Sequence, residues 1–172
     1  VQIGEVMRAS TVGQIVESKN VEYKVGQLVS GMLGWQQYFV TDGTPGPFGG
    51  LSKVPEGVPP QRMLSALGGT GLTAYFGMTA IHPVQKGDHV LVSGAAGATG
   101  SVAAQIARIQ GAAKVVGIAG GPEKCAWLLK EAKLDAAIDY KNEKVGRRIR
   151  EEFPQGVDLY FDNVGGDILD SA

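Results

Sequence analysis

Apolar and polar positions change their period partway along this chain. From about residue 89 onward, short runs that are apolar almost throughout alternate with segments whose apolar residues recur every three or four positions. His89-Val-Leu-Val-Ser93 is one such run, and Val102, Ile106 and Ile109 follow it at helical spacing. Residues 114–119, 136–139 and 157–161 carry the same strand pattern. Residues 99–110, 122–133 and 142–152 read as the helices between and after them. Gly111 is placed to close the first helix, and Pro122 to open the second. Gly165-Gly166 turns the chain into a last helix. Strands without a polar face belong to a sheet covered on both sides. Their alternation with helices implies right-handed parallel crossovers. The expected fold is therefore α/β, a doubly wound parallel (Rossmann) sheet.

The first part of the chain reads differently. Residues 12–16, 27–29 and 35–40 are candidate strands, with a turn at Tyr23-Lys-Val-Gly26. Residues 42–50 hold too much Pro and Gly for regular structure. Val58-Pro-Pro-Gln61 opens a helical segment containing Met63, Leu64 and Leu67. Gly68-Gly69 interrupts it, and residues 70–78 continue as a second helix. This divides the chain into a β-rich part (1–53), connecting helices (54–88) and a partial dinucleotide-binding domain (89–172). The whole reads as an internal portion of a longer enzyme.

Composition removes several functions. Sixteen basic residues face 17 acidic ones, so neither nucleic acid nor a membrane surface is the expected partner. No apolar run is long enough for a bilayer, and no charged-then-apolar leader is visible. The single cysteine, Cys125, permits no internal disulfide, which fits the cytoplasm. His82 and His89 are the only histidines. With Cys125 they do not make a zinc site, and no metal is expected.

The chemistry concentrates in Ala95-Ala-Gly-Ala-Thr-Gly100, between the first strand and first helix of the α/β region. It matches the dinucleotide fingerprint with alanine at the first glycine position. Gly97 lets a pyrophosphate reach the backbone, and Gly100 lets the helix pack close. Thr99 offers a hydroxyl and an N–H, and the helix start favours an anion. NAD sites place a carboxylate at the end of the second strand, about 20 residues on, to hold ribose hydroxyls. Here that strand ends in Ala119-Gly-Gly121, and Lys124 follows in the first turn of a helix, where a cation opposes the dipole. A 2′-phosphate explains that lysine, so NADP is preferred to NAD. Glu123 on the ribose, with a merely solvated Lys124, is the alternative. Tyr140 to Lys144 has the Tyr-x-x-x-Lys spacing of short-chain dehydrogenases, but it lies at a strand end and not on a long late helix. Tyr140 is instead a candidate contact to the adenosine phosphate. Asn163, after the fourth strand, is a candidate for the ribose or nicotinamide end.

Together these segments resemble one family. Gly71-Leu-Thr-Ala-Tyr75, residues 92–102, 115–124 and 135–141, and Tyr160-Phe-Asp-Asn-Val-Gly-Gly166 look like the prostaglandin reductase and alkenal double-bond reductase branch. That branch is the zinc-free, NADP-dependent part of the medium-chain dehydrogenase/reductase superfamily. Gly13-Gln-Ile-Val16, Val25-Gly-Gln-Leu-Val29 and Gly34-Trp-Gln-Gln-Tyr38 look like later strands of its GroES-like catalytic domain. The resemblance implies pyrophosphate on Gly97, Ala98, Thr99 and Gly100. It implies the 2′-phosphate on Lys124 and further cofactor contacts from Tyr140 and Asn163. It also implies NADPH-dependent reduction of the C=C bond of an enone or enal by a homodimer. A quinone oxidoreductase, or a non-catalytic nucleotide-binding protein of the same fold, is the alternative. Ala132-Lys133 departs from the family, which often has a glycine where the second helix ends. No catalytic acid is assigned within these residues. The helix that carries Thr73 and Tyr75 is read as a packing element, with a place for the two near the nicotinamide as the alternative.

Overall fold

The computed structural model describes residues 1–44 and 50–172. Most of the 42–50 loop lies outside the described residues. The chain divides into two compact units, Val1–Gly68 and Gly69–Ala172.

In the first unit, β1 (Thr11–Gln14), β2 (Leu28–Gly31) and β3 (Ser52–Lys53) form an antiparallel sheet in that order. The β1–β2 hairpin closes with Ile15 N–H donating to Gln27 O at 2.9 Å and Gly26 N–H to Ile15 O at 2.8 Å. Gly26 turns there at φ +89°. β3 escaped the sequence pattern because two residues carry no period. The expected strand at 35–40 does not form. Gly34 sits at φ +75°, Trp35 N–H donates to Met7 O, and Trp35, Tyr38 and Val40 are exposed. Aromatic and β-branched content suggested a strand, but no neighbour among the described residues completes a ladder for it. The helical segment at 58–67 shrinks to a 3-10 helix, Pro60–Leu64.

In the second unit, α1 (Gly69–Phe76) runs into a π-helical turn, Gly77–Ile81. β4 (His89–Val92), α2 (Ala98–Gln110), β5 (Lys114–Ala119), α3 (Pro122–Lys130), β6 (Ala136–Asp139), α4 (Val145–Glu152), β7 (Leu159–Phe161) and α5 (Gly166–Ser171) follow. All strand pairs are parallel, in the order β6-β5-β4-β7. The expected doubly wound sheet is present.

Alternation along the strands sends side chains to two cores. Val90, Val92 and Val115 pack with Ala103, Ala104 and Ala107 of α2 and Leu128 of α3. Leu91, Val116, Ile118 and Ile138 pack with Ile149 and Phe153 on the other face. Helical spacing drew attention to Val102, Ile106 and Ile109 of α2, yet its fully buried positions are alanines, and Ile109 is 84% exposed. Small side chains let α1 and α2 approach closely, and the large ones fill only the margins. On α1, likewise, Gly71 and Ala74 are buried, and Met78 in the following turn. The helix therefore packs as expected, through these residues, while Thr73 and Tyr75 lie on its exposed face.

Three boundaries differ from expectation. α3 stops at Lys130, and Lys133 adopts φ +57°, the one left-handed non-glycine among the described residues. α4 begins at Val145, because residues 141–143 are drawn into bonds around Asp139. β7 begins at Leu159, since Asp158 caps the start of β4 by accepting from His89 N–H at 2.8 Å.

Candidate functional site

Because the four strands are parallel, the loops after β6, β5, β4 and β7 emerge at one end of the sheet, in that spatial order. This is the end at which such sheets bind ligands.

The glycine turn follows β4. Ser93 N–H donates to Phe161 O, and Ala95 N–H to Ile118 O at 3.0 Å, so the turn is anchored to both neighbouring strands. Gly94 takes φ +55°. Gly97 N–H is already used on Gly94 O at 2.9 Å, within the turn. The first i→i−4 bond of α2 runs from Ser101 N–H to Gly97 O. The N–H groups of Ala98, Thr99 and Gly100 precede it and have no helical acceptor. They stand at the positive end of a 13-residue helix. Ala98 is exposed and Thr99 half-buried. Gly100 is buried, and a Cβ there would press on Gly94 O and stand 2.9 Å from Ala95 Cα. Its glycine is dictated by backbone contact, whereas a Cβ on Gly97 would meet only Gly94 O, at 3.1 Å. An anion fits this place: N–H donors that have no acceptor among the described residues, at the positive end of a helix.

Beyond β5, Gly120-Gly121 leads into α3, with Pro122 in its first turn and Lys124 exposed. Lys124 makes no ion pair among the described residues. Tyr140 follows β6, and its N–H continues the ladder to Ala119 O at 3.1 Å. The ring lies over Gly120. Between these loops sits a residue to which sequence reasoning gave no role. The buried Asp139 carboxylate accepts from Gly121 N–H at 2.8 Å, Lys141 N–H at 3.0 Å and Asn142 Nδ2 at 2.7 Å. The bond from Gly121, and then that from Asn142, hold it below the usual carboxylate range. It fastens the turn that leads into α3, and so to Lys124, to the loop carrying Tyr140.

On the other side of the glycine turn, Asn163 is tied to β4. Its N–H donates to Ser93 Oγ and its Nδ2 to Ser93 O, both at 2.8 Å. Ser93, fully buried, donates in turn to Asp162 Oδ1 at 2.7 Å. Asp162 also accepts from Tyr160 Oη and the N–H groups of Val164 and Gly165. Burial would raise this carboxyl. The bonds from Ser93, Val164, Gly165 and Tyr160 outweigh it and hold it at about 2. Ser93, Asp139 and Asp162 did carry a signal: a polar residue at or directly after the end of an apolar strand, where backbone N–H groups of the turns need acceptors.

The candidate residues thus form a row across the end of the sheet. Tyr140 and Lys124 stand at one side, the start of α2 in the middle, and Asn163 beyond it. Among the described residues no cluster of His, Cys, Asp and Glu could hold a metal ion, and no helix is long and apolar enough to cross a membrane.

Comparison with known proteins agrees with this architecture. Residues 1–46 match the family described as "N-terminal domain of oxidoreductase", and residues 98–172 the family described as "Zinc-binding dehydrogenase". Prostaglandin reductase 1 of Mus musculus is 44% identical over 98% of this chain and 51% of its own length. The NADPH-dependent curcumin reductase of Escherichia coli is 34% identical over all of this chain and 48% of its own. CurA from Vibrio vulnificus, solved in complex with NADPH, superposes with a TM-score of 0.88 at 36% identity, covering 99% of this chain and 49% of that one. The chain therefore spans about half the length of the curated relatives it matches. These matches cover both units, and over nearly its whole length the chain is similar to prostaglandin reductase 1 and to the NADPH-dependent curcumin reductase.

Proposed function

We propose that the full-length protein is an NADPH-dependent reductase of the C=C bond of α,β-unsaturated ketones and aldehydes, and that residues 69–172 supply much of its cofactor site. The observation that carries this reading is the order of the row. A cation and an aromatic ring, a cluster of unpaired N–H groups at a helix start, and an amide side chain follow one another along the strand ends. That is the order of the 2′-phosphate, pyrophosphate and nicotinamide ribose along an extended NADP molecule. The names of the relatives point to the same chemistry.

In this reading Ala98, Thr99 and Gly100 donate to the pyrophosphate, and Gly97 keeps its approach clear. Lys124 pairs with the 2′-phosphate beside Tyr140, and Asn163 binds toward the nicotinamide end. When bound, the cofactor supplies the hydride for the β-carbon of the substrate. The protein orients it and excludes water. Donors for the enolate oxygen and the proton source for the α-carbon lie outside the residues assigned here. In the same reading residues 1–53 belong to a GroES-like catalytic domain and 54–88 connect it to the cofactor domain. The enzyme works without zinc, in the cytoplasm, as a homodimer on a small-molecule substrate.

The test is calorimetry of NADPH and NADH on the full-length protein and its Lys124→Ala variant, followed by turnover of an enone. Tighter NADPH binding that collapses in the variant, with enone reduction, supports the reading. Equal binding of the two cofactors overturns the NADP assignment. NADPH turnover with quinones but not enones overturns the substrate class.

A further inference from the structure

The helix that follows the Tyr140 loop, α4, carries a charge network that the cofactor row does not use. Its Arg148 stands among three carboxylates, with Nη1 2.9 Å from Glu151, Nη2 2.8 Å from Glu152 and Nε 2.9 Å from Glu143. Glu151 and Glu152 lie one turn further along α4, and Lys114 of β5 holds the other oxygen of Glu152 at 2.8 Å. These contacts fix the guanidinium on the helix. Glu143 lies before α4 and belongs to the loop. Its Oε2 accepts Asp139 N–H at 2.7 Å, and its own N–H donates to Asp139 O at 2.8 Å. Two reciprocal bonds thus close residues 139–143 into a loop, and Tyr140 stands within it.

That closure gathers two carboxylates around one residue. The Asp139 carboxylate is met by the N–H groups of Gly121 and Lys141 and by Asn142 Nδ2, while the Glu143 carboxylate lies on the Asp139 N–H. After burial, the charges of both push the Cys125 thiol of α3 up, so the two occupy one neighbourhood. Like charges this close repel unless each has a partner. Asp139 has its three donors. For Glu143 the paired cation among the described residues is Arg148. We propose that Arg148 is a positioning residue of the cofactor site: by neutralising Glu143 it keeps that side chain on Asp139 N–H, and so holds the Tyr140 loop in place beside the turn into α3. This rests on the NADP reading above and adds to it a residue that acts on the adenosine-phosphate end through Glu143.

The experiment is a double-mutant cycle on the full-length protein, with Arg148→Gln, Glu143→Gln and their combination. NADPH dissociation constants are measured by calorimetry, with a denaturant midpoint and hydrogen exchange of the peptide covering residues 139–143 for each variant. Arg148→Gln leaves Glu143 charged and without its cation. It is expected to speed exchange in that peptide and to weaken NADPH about fivefold, the scale of one partly exposed charge pair. In Glu143→Gln the amide oxygen still accepts Asp139 N–H but carries no charge. Adding Arg148→Gln there should change binding and exchange less than about twofold. Stability should fall in both backgrounds, since the pairs with Glu151 and Glu152 are lost in both. Arg148→Lys keeps a charge beside Glu143 and should retain most of the affinity. If Arg148→Gln lowers the midpoint but leaves binding and exchange alone, or weakens binding equally in both backgrounds, the proposal is overturned. Failure of the NADP reading looks different: the unsubstituted protein would bind NADPH and NADH alike, and exchange at 139–143 would still separate the two backgrounds.

Discussion

Ser93 Oγ donates to Asp162 Oδ1 at 2.7 Å across 69 residues of sequence, and so joins the ends of β4 and β7. The same oxygen accepts the N–H of Asn163. One buried hydroxyl thus sets the distance between the glycine turn and the amide assigned to the nicotinamide end. Ser93→Ala removes a donor from Asp162 and an acceptor from Asn163. It is expected to cost about 1–3 kcal/mol in chemical unfolding. In cofactor titrations it should weaken binding and raise KM for the cofactor. Unchanged stability and unchanged KM would show that the hydroxyl is incidental.

Asp162 also makes the fold sensitive to acid. Its carboxyl is held at about 2 in the folded chain, against 3.8 unperturbed. A depressed carboxylate contributes stability above the unfolded pKa, and that contribution is lost as pH falls from about 4 towards 2. Asp162→Asn should flatten the decline of the melting temperature in this window relative to the unsubstituted protein. Parallel curves from pH 5 to 2 would refute the assignment.

Glycine replacements should have opposite signs at two helical positions. At Gly100 an added methyl meets the backbone of Gly94 and Ala95, which cannot yield, so Gly100→Ala should destabilise by about 1–3 kcal/mol. At Gly146 in α4 the nearest atom to a Cβ is Ser171 Cβ at 3.6 Å, an ordinary contact. Gly146→Ala should stabilise by up to about 1 kcal/mol through helix propensity. Denaturant midpoints of both variants decide it.

Lys133 offers the reverse substitution. At φ +57° its backbone is held in the left-handed region that a side chain disfavours. Lys133→Gly should raise stability by about 0.5–1 kcal/mol, a gain that unfolded-state entropy partly offsets. A lower melting temperature would contradict this.

Asp139 can be followed through Cys125. Burial, and then the charges of Asp139 and Glu143, push that thiol up. Asp139→Asn removes one of those charges, so the pH midpoint for alkylation of Cys125, followed by mass spectrometry of its peptide, should move down. An unmoved midpoint would place the two groups out of electrostatic contact.

Local pattern and a few punctuating residues were enough to read the α/β half of this chain. The strand at 114–119 and the caps at Gly111 and Pro122 needed no tertiary information, because burial on both faces and glycine's left-handed freedom leave direct marks in sequence. The glycine turn, Lys124, Tyr140 and Asn163 were proposed the same way, each in a segment that follows a strand. Other features depended on partners far away in sequence. Residues 35–40 have strand-forming side chains and no strand, since a ladder needs a neighbour. Alanines, not isoleucines, bury α2, since closeness of approach is decided between helices. That the Tyr140 ring lies over Gly120, and that Ser93 and Asp139 fasten the loops of the site, became visible only when the sheet brought the ends of its strands together.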